Sequence, residues 1–417
     1  MSLNILLVNP NRFKNPPVIP LGLEYLVNVL EKHNHNVDIL DLCFSESPED
    51  DLTKALLKKK YNIVGFTIRN IDSINYFNSE FYLPSIKALI QCVKKLNIPV
   101  VLGGSGFSAM PKEVLDYLEA DYGIIGPGEI IFPRFLELLG SQELRSKIYD
   151  GWQYGTDAKL IHLRGKKINY AKYLSGEEII GFETHKGCPG KCPFCVSACS
   201  QTWYRKIPAI IEELKLLIHQ GHTHFQLCDS EFNSDLNFSI QFCRALIEKR
   251  LTMKWKLFMK PYPYNEKLFK LLQMSNAYSI GITIFSDKKI QELNNYSYDD
   301  LEKIIEYCTN YQIELTIDSN VGYPYESFES IKNMIRFFKT HRPTIVTVNP
   351  YFRVYKHTQL ANLIKADISI QKNLIKPHPK DLDLLKPVFY NQVNYNILEE
   401  LISDDELFRI AWLTADK

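Results

Sequence analysis

The chain has 417 residues, enough for two or three domains. Hydrophobic residues make up 45% of it and charged residues 23%, the ordinary balance of a soluble, well-packed protein. Its 49 basic and 48 acidic residues leave a formal net charge of +1, so no overall field attracts nucleic acid or an anionic membrane. We therefore expect neither nucleic acid nor membrane among the partners.

The first residues, MSLNILLVNP, form a short apolar run without the charged region, longer apolar segment and cleavage site of a secretory signal. No uninterrupted apolar stretch approaches the roughly 18 residues of a membrane span. Nine cysteines fit a reducing compartment, where clustered thiols bind metal more often than they form disulfides. These features predict a cytoplasmic protein.

The first 140 residues alternate strand-like apolar runs with segments of helical periodicity. The predicted strands are 4–9, 37–42, 63–68, 100–102 and 122–125, and the predicted helices are 21–33, 48–60, 83–96 and 111–118. Parallel strands joined by crossover helices predict a doubly wound, Rossmann-like α/β domain over residues 1–140. Such sheets bind ligands beyond the carboxyl ends of their strands, where the glycine-rich turns 103–106 and 126–129 fall.

Residues 141–178 are polar and weakly periodic and are predicted to be a linker, after which a second alternation begins. The predicted strands are 180–184, 225–227, 254–258, 279–284, 314–317 and 345–349, and the predicted helices are 208–219, 239–250, 266–274, 298–311 and 328–340. Six such units predict a partial (β/α)6 barrel over residues 179–380, with reactive groups at the carboxyl ends of its strands. Residues 381–417 are predicted to be a short helical tail, with a helix near 397–412.

Three cysteines, Cys188, Cys192 and Cys195, lie within eight residues directly after the first strand of the predicted barrel. A loop this tight cannot pair three thiols among themselves, but it can wrap them around a metal cluster. Thiolates are soft ligands that select iron–sulfur clusters or zinc. Cys199 offers a fourth ligand, but no second CxxC pair follows. The residues alone leave an iron–sulfur cluster, zinc and a structural metal knuckle open.

The spacing CxxxCxxC, with Phe194 just before the third cysteine, resembles the signature of the radical S-adenosylmethionine superfamily. The resemblance implies that the three cysteines hold a 4Fe–4S cluster, that S-adenosylmethionine binds its fourth iron, and that an electron donor such as a flavodoxin or ferredoxin supplies the electron that cleaves it. It also implies contacts to S-adenosylmethionine from the strand ends: Ser230, Glu231, Asp318, Ser319 and Asn320. Taken singly, such residues are more often helix caps. His185 is expected to hydrogen-bond rather than to bind the cluster.

The first domain resembles the cobalamin-binding domain that precedes the barrel in many radical S-adenosylmethionine enzymes. The resemblance rests on the opening of the first helix (residues 17–23), the second strand and the two glycine-rich turns, and with the barrel it covers about residues 1–380. The residues that it places near cobalamin are Arg69, Gly103, Gly104, Ser105, Gly128 and Glu129. The alternative is a nucleotide-type or degenerate domain whose glycines only turn the chain.

Cobalamin domains of the methionine synthase type carry an Asp-x-His-x-x-Gly loop whose histidine binds cobalt. Residues 9–14 (NPNRFK) occupy that place, so the resemblance implies a cobalamin without a protein histidine on cobalt. Arg69, at the end of the third strand, is then a candidate to face the lower side of the corrin ring. A surface arginine is the equal alternative.

The resemblance implies a cobalamin-dependent methyltransferase that moves a methyl group from S-adenosylmethionine through cobalamin to an unactivated carbon, or a phosphinate, of a small metabolite or peptide. A radical cyclase or rearrangement enzyme and a cobalamin methylase that works without a radical are the alternatives within the family. Methylthiotransferases carry three further cluster cysteines in their first domain, whereas this one has only Cys43 and Cys92. A non-enzymatic cobalamin or iron–sulfur sensor is less favoured, because a sensor needs no radical chamber.

Overall fold

The computed structural model describes residues 2–14, 16–174, 179–375 and 384–411. The chain forms two compact units. The first unit comprises residues 1–73, 80–181 and 203–221, and the second comprises residues 74–79, 182–202 and 222–417. The cysteine motif therefore lies in a stretch of the second unit, residues 182–202, that is flanked on both sides by chain of the first unit.

A six-stranded parallel sheet forms the centre of the first unit, in the order β2-β1-β3-β4-β5-β6. Its strands are β1 Asn4–Asn9, β2 Asn36–Asp41, β3 Ile63–Thr67, β4 Val100–Gly103, β5 Tyr122–Ile125 and β6 Ile148–Asp150. The five predicted strands are present, and the doubly wound sheet is confirmed. Strand β6 lies within residues 141–178, where three residues are too few to produce a periodic pattern.

The helices of the first unit each bury apolar residues. They are α1 Leu21–Lys32, α2 Pro48–Lys58, α3 Leu83–Lys94, α4 Ser105–Ala109, α5 Pro111–Leu118, α6 Ile131–Ser141 and, later in the chain, α7 Ile207–His219. The buried core joins Leu23 and Leu30 of α1 and Phe135 of α6 to Leu7 and Val101 of the strands. Proline opens α2 and α5, where its missing N–H costs no hydrogen bond.

Four buried charges link α1, the segment after β6 and α7 within the first unit. Arg164 Nε lies 3.1 Å from Glu24 Oε2, and its Nη1 lies 3.2 Å from Glu213 Oε1. Arg205 Nη2 lies 2.6 Å from Glu213 Oε2. All four side chains are at most 4% exposed, so their charges are balanced by one another rather than by water. We call these four residues the charge cluster.

Backbone and tyrosine groups complete the charge cluster. Tyr25 donates to Glu213 Oε1 at 3.1 Å and accepts from Arg205 Nη1 at 3.1 Å. The Arg164 guanidinium also donates to the carbonyl of Gly181 at 2.6 Å. The cluster therefore holds the chain at Gly181 and at Arg205, close to each end of the stretch that carries the cysteines.

A seven-stranded sheet in the order β18-β14-β13-β12-β11-β10-β7 forms the centre of the second unit, and its register is parallel from β10 to β18. Its strands are β7 Ile179–Phe182, β10 His224–Leu227, β11 Lys254–Met259, β12 Ala277–Phe285, β13 Glu314–Asn320, β14 Ile345–Asn349 and β18 Phe408–Ile410. Two short strands, β8 His185–Lys186 and β9 Trp203–Tyr204, flank the cysteine loop. The predicted partial barrel is confirmed, with one further strand.

The remaining elements of the second unit follow the strands in the alternation expected of a partial barrel. The helices are α8 Leu236–Glu248, α9 Glu266–Met274, α10 Lys288–Leu293, α11 Tyr298–Asn310, α12 Phe328–His341, α13 Gln359–Ala366 and α14 Tyr395–Ile402. A small antiparallel sheet is formed by β15 Phe352–Arg353, β16 Leu374–Ile375 and β17 Phe389–Tyr390. Within the described ranges, no helix is long and apolar enough to cross a membrane.

The predicted tail differs in structure from the helix expected near residues 397–412. Helix α14 ends at Ile402, and the chain then forms β18 beside β14. Residue 412 lies outside the described residues. Three residues are too few to separate helical from strand periodicity, which is why the strand was not predicted.

The strands of this sheet have two different faces. One face is fully buried and apolar: Trp255 and Phe182 pack against Phe242 of α8. The opposite face carries half-buried or exposed side chains, among them Asp318 and Thr347. We call this second face the polar face. Polar groups in the middle of parallel strands indicate a face that receives ligands.

The charge cluster generates a stability prediction. Glu213→Gln leaves Arg164 and Arg205 without one of their two carboxylates in a site that water cannot reach, so we expect the free energy of unfolding to fall by about 3–5 kcal/mol. Glu212→Gln is the matched control, because Glu212 lies on the same helix and pairs with Lys215 at an exposed position. That change should cost about 0–1 kcal/mol. Urea titrations followed by circular dichroism measure both, and equal losses would contradict the role given to Glu213.

Candidate functional site

The cysteine loop is closed by its own backbone. The N–H of Cys195 donates to the carbonyl of Cys192 at 3.1 Å, and the N–H of Cys199 donates to the carbonyl of Gly190 at 2.8 Å. Ser200 Oγ accepts from the N–H of Cys188 at 2.8 Å. Cys188 is buried, whereas Cys192 and Cys195 are half-buried. The loop thus orders its three thiols through main-chain bonds that need no metal.

Phe194 anchors this loop to the barrel. Its ring lies 5.5 Å from the ring of Phe285, the last residue of β12, and 5.0 Å from that of Phe352 in β15. The neighbouring carbonyl of Pro193 accepts from the N–H of Leu360 at 2.9 Å. The aromatic residue of the signature therefore positions the third cysteine by packing.

A glycine before the first cysteine lets the loop turn back on itself. Gly187 has φ +90°, and a Cβ at this position would lie 2.0 Å from the carbonyl oxygen of Gln201. Both facts exclude other residues, because a side chain would collide with backbone in a conformation that already favours glycine.

The three thiols form a soft donor set that is withdrawn from water. Burial raises the pKa of Cys192 to about 12, and Cys195 and Glu231 add to the effect. Burial also raises the pKa of Cys188 and of Cys195. Among the residues that the structure describes, no three His, Cys, Asp or Glu side chains gather closely enough to hold one metal ion. Three thiols on one short loop suit a cluster in which each cysteine binds its own iron.

Asp229, at the end of β10, holds the chain just before the cysteine loop. Its Oδ1 accepts from the N–H of Thr184 at 2.7 Å, and its Oδ2 lies 3.0 Å from His185 Nδ1 and also accepts from the Thr184 hydroxyl. Asp229 is 5% exposed. The expectation that His185 hydrogen-bonds is confirmed, and Asp229 serves the fold of the loop.

Glu231 lies two residues after Asp229 but differs from it in hydrogen bonding. Within the described chain its carboxylate makes no hydrogen bond. Burial raises its pKa to about 7, although Lys260 and His185 oppose the shift. The same carboxylate raises the pKa of all three cluster cysteines, so it lies beside their thiols. Ser230 is exposed next to it.

Lys260 is a second charged residue near the thiols, and no pattern in the sequence indicates its role. It follows β11, and its N–H donates to Asn233 Oδ1 at 2.7 Å. Asn233 is fully buried and also donates to the carbonyl of Lys260 at 2.9 Å. The positive charge of the Lys260 ammonium opposes the rise in the pKa of Glu231, Cys188 and Cys192. A lone lysine at a strand end could be placed beside the cysteines only by the fold.

Asp318, Ser319 and Asn320 end β13, and they divide between its two faces. Asp318 and Asn320 lie half-buried on the polar face, where Asp318 is in register with Thr347 of β14. Ser319 is fully buried on the other face, where its hydroxyl donates to the carbonyl of Thr347 at 2.8 Å. Ser319 therefore joins two strands, and the other two side chains are directed towards the space that a ligand can enter.

Glu326 fixes the turn after β13. Its carboxylate accepts from the N–H groups of Gly322 and Tyr323 and from the hydroxyl of Ser286. Burial raises its pKa, although these donors oppose the shift. A buried carboxylate with four hydrogen bonds, the fourth from Ser330, stabilises the turn and leaves no capacity for a ligand.

In the first unit, the glycine-rich turn after β4 contains two glycines with different roles. Gly104 has φ +97°, and a Cβ there would lie 2.6 Å from the carbonyl oxygen of Ile68. The closest atoms, which leave no room for a side chain at Gly104, therefore belong to the protein's own backbone. The nearest atom to a Cβ at Gly103 would be the Ile124 carbonyl oxygen at 3.8 Å, an ordinary van der Waals contact, so a side chain fits at this glycine without a clash.

Ser105 and Ser108 hold the surroundings of this turn. Ser105 Oγ donates to the carbonyl of Arg69 at 2.8 Å, which joins the ends of β3 and β4. Ser108 Oγ donates to the carbonyl of Gly104 at 2.9 Å and accepts from the N–H of Gly126 at 3.0 Å. Arg69, Gly103, Gly104 and Ser105 therefore lie together at the carboxyl edge of the sheet.

The turn after β5 offers a ligand less exposed surface than the turn after β4. Glu129 is 4% exposed, so its side chain lies within the unit. Gly128 is half-buried, and a Cβ there would meet the side chain of Leu26 at 2.9 Å. Arg69 is half-buried at the end of β3, where its charge acts on Tyr82.

Comparisons with known proteins agree with both halves of this geometry. The family model of the B12 binding domain matches residues 15–136, and that of the radical SAM superfamily matches residues 182–338. The tryptophan 2-C-methyltransferase of Streptomyces laurentii is 23% identical, over 79% of this chain and 69% of that protein. The cytidylyl-2-hydroxyethylphosphonate methyltransferase of Streptomyces wedmorensis is 22% identical, over 68% of this chain and 65% of that protein.

A solved structure shares the fold over nearly the whole chain. It is the radical S-adenosylmethionine methyltransferase TsrM from Kitasatospora setae, with cobalamin and a [4Fe-4S] cluster bound. Its TM-score is 0.84 at 21% identity, over 94% of this chain and 88% of that one. The order of the two domains is therefore that of a known cobalamin- and cluster-containing enzyme.

The cysteine loop generates a prediction about iron content. Protein reconstituted anaerobically with iron and sulfide should hold about four irons, as expected of one 4Fe–4S cluster. Replacing Cys188, Cys192 and Cys195 together with alanine should abolish this binding. Cys199→Ala is the control on the same loop and should keep the full iron content, because Cys199 contributes through its backbone N–H. Iron retained by the triple variant, or lost by the control, would refute the assignment.

Proposed function

The chain belongs to the cobalamin-dependent radical S-adenosylmethionine enzymes, and we propose that it moves a methyl group from S-adenosylmethionine through cobalamin to an unactivated carbon of a small molecule. The observation that carries this proposal is the presence, in one chain, of a matched B12 binding domain and a matched radical SAM domain whose cysteine triplet is intact. The cobalamin supplies a methyl carrier, and the cluster supplies an electron to S-adenosylmethionine.

The relatives favour methyl transfer over ring formation or rearrangement. Both are named as methyltransferases, one for carbon 2 of tryptophan and one for a cytidylyl-2-hydroxyethylphosphonate. Their acceptors are small molecules, which supports a small-molecule acceptor here rather than a peptide. A non-enzymatic sensor is less favoured, because the polar face of the barrel, with Asp318 and Asn320, offers room and polar groups that a sensor does not use.

The geometry favours particular residues as contacts to S-adenosylmethionine. Glu231 has an ionisable carboxylate without a hydrogen bond, beside the thiols, and suits the ammonium of the methionyl group. Ser230 and Lys260 are its neighbours, and Lys260 suits the methionyl carboxylate. Asn320 lies at the end of β13 on the polar face. An electron donor such as a flavodoxin or ferredoxin completes the proposed set of partners.

For cobalamin, we propose contacts from the carboxyl edge of the first sheet. No atom of the chain would clash with a Cβ at Gly103, which suits the approach of a ligand there, whereas Gly104 and Ser105 shape the turn. Gly128 and Glu129 contribute through the backbone of the turn after β5, since Glu129 is buried.

Substitutions at the two adjacent glycines are expected to have different effects, one on cobalamin binding and the other on folding. Gly103→Val should leave the protein folded, because a Cβ there meets no atom closer than 3.8 Å, but it should weaken retention of hydroxocobalamin through gel filtration, because the side chain would occupy the proposed position of the ligand. Gly104→Val should lower the melting temperature, because its Cβ meets the Ile68 carbonyl in a backbone conformation that favours glycine. Cobalamin retained fully by a folded Gly103→Val variant would contradict the proposed position of the ligand.

Arg69 is proposed to lie beneath the corrin ring. Its carbonyl is held by Ser105 at the edge where Gly103 lies, so its side chain starts from a fixed point. An arginine stays protonated and cannot donate a lone pair to a metal. A guanidinium in this place would therefore exclude a lower ligand and favour the reduced cobalamin that accepts a methyl group.

Labelled S-adenosylmethionine tests the methyl transfer together with Arg69. With methyl-deuterated S-adenosylmethionine and a reductant, the reconstituted enzyme should place the label on the bound corrinoid, and mass spectrometry of the extracted corrinoid measures it. Arg69→Ala should slow this labelling severalfold and change the electron paramagnetic resonance spectrum of the cobalt(II) form, because water can then coordinate. Absence of label in the wild-type enzyme would overturn methyl transfer, and unchanged rates and spectra in the variant would show that Arg69 is only a surface residue.

A further inference from the structure

Three charged or polar residues stand side by side on neighbouring strands of the polar face. Asp318 of β13 is in register with Thr347 of β14, and Thr347 is in register with Arg409 of β18. Phe408 and Ile410, on either side of Arg409, are buried, and their register partners Val346 and Val348 are fully buried on the apolar face. Arg409 therefore extends from the polar face, as Asp318 and Thr347 do.

The two charges in this row are not paired with each other. Asp318 stands beside Thr347 of the next strand, and burial raises the pKa of its carboxyl group. Arg409 is exposed and, in the part of the chain that the structure describes, makes no ion pair or hydrogen bond. Neighbouring strands lie about 4.8 Å apart, so the backbones of Asp318 and Arg409 are separated by about 9.6 Å. A row with an acid at one end, a base at the other and a hydroxyl between them suits a ligand that carries both charges.

This row lies just below the level of the cysteine loop. Asn320 of β13 is in register with Phe285 of β12, whose ring packs against Phe194 of the loop. Asp318 is two residues before Asn320 on the same strand and the same face, which places it about 6.6 Å deeper in the barrel. A ligand on the row would thus sit beneath the level of the cluster loop, at a position distinct from Glu231.

An apolar wall lies next to this row. Phe258 of β11 is 41% exposed on the polar face, and its ring comes within 2.4 Å of where a Cβ of Gly281 would lie. Gly281 is in register with both Phe258 and Thr316, one level below Asp318. The glycine makes room for the ring, which presents apolar surface to anything bound above it.

We propose that Asp318, Thr347 and Arg409 bind the ammonium and carboxylate groups of a free α-amino acid, which is the methyl acceptor. The inference rests on the proposed function and names its substrate class. The Asp318 carboxylate accepts hydrogen bonds from the ammonium, the Arg409 guanidinium donates a bidentate pair to the carboxylate, and Thr347 stands between them on β14. Phe258 contacts the side chain of the amino acid. Asp318 thereby serves the acceptor rather than S-adenosylmethionine.

Direct binding tests this site without requiring turnover. Each of the twenty protein amino acids is titrated by calorimetry into enzyme loaded with cluster and cobalamin. We expect at least one to bind, and its decarboxylated amine and its deaminated acid to bind at least tenfold more weakly. Arg409→Gln and Asp318→Asn should each weaken its binding at least tenfold, Arg409→Lys should restore part of it, and binding of S-adenosylmethionine should not change.

Controls separate this inference from the proposed function. Arg336→Gln, an exposed position on α12 where the guanidinium bonds only Asn333, should leave amino-acid binding unchanged. Labelling of the corrinoid should persist in both site variants, which also shows that they fold. If none of the twenty amino acids binds, if both variants bind normally, or if only binding of S-adenosylmethionine weakens, the amino-acid site is refuted although methyl transfer stands. Loss of labelling in the wild-type enzyme refutes the proposed function itself.

Discussion

The mutual neutralisation of Arg164, Arg205, Glu24 and Glu213 is the constraint on which the rest depends. Each of these charges would be costly to bury alone, and each is stable only while the others stay within about 3 Å. Because Arg164 also holds the Gly181 carbonyl, the cluster fixes the start of the cysteine stretch, and through Arg205 it fixes the chain just beyond its end. Both ends of the cysteine stretch are thus held by the same cluster of ion pairs, so neither end can move without disturbing the other. This constraint helps to keep the three thiols in a fixed arrangement.

Within the second unit, further contacts position the cysteine loop itself. Asp229 holds Thr184 and His185 on the way into the loop, and Phe194 packs the loop against the barrel. Gly187 permits the reversal between them. The path of the loop is thus set by hydrogen bonds and packing from within the chain itself.

Long periodic segments could be predicted from the sequence, because a helix of eleven or more residues or a strand of buried apolar residues repeats its pattern. Short elements could not: β6 and β18 each span three residues. The cysteine triplet was found because its spacing is local. Lys260 and Arg409 were not, since each becomes notable only beside partners from other strands. The close approach of the Ile68 carbonyl to Gly104 could not be predicted either, because these residues follow different strands.

At the carboxyl ends of both sheets, one physical criterion separates scaffold from ligand contacts. A side chain whose hydrogen-bonding capacity is used by the backbone has none left for a ligand, and Ser108, Asp229 and Glu326 are of this kind. Glu231, after β10, makes no hydrogen bond among the described residues, and neither does the exposed Arg409 in the middle of β18. Polar groups that burial withdraws from water without a hydrogen bond, as at Glu231, are rare in natural proteins and often mark functional sites. We therefore infer that the cofactors and the acceptor bind at those residues whose polar groups have no hydrogen bond within the chain, rather than at every polar residue near the strand ends.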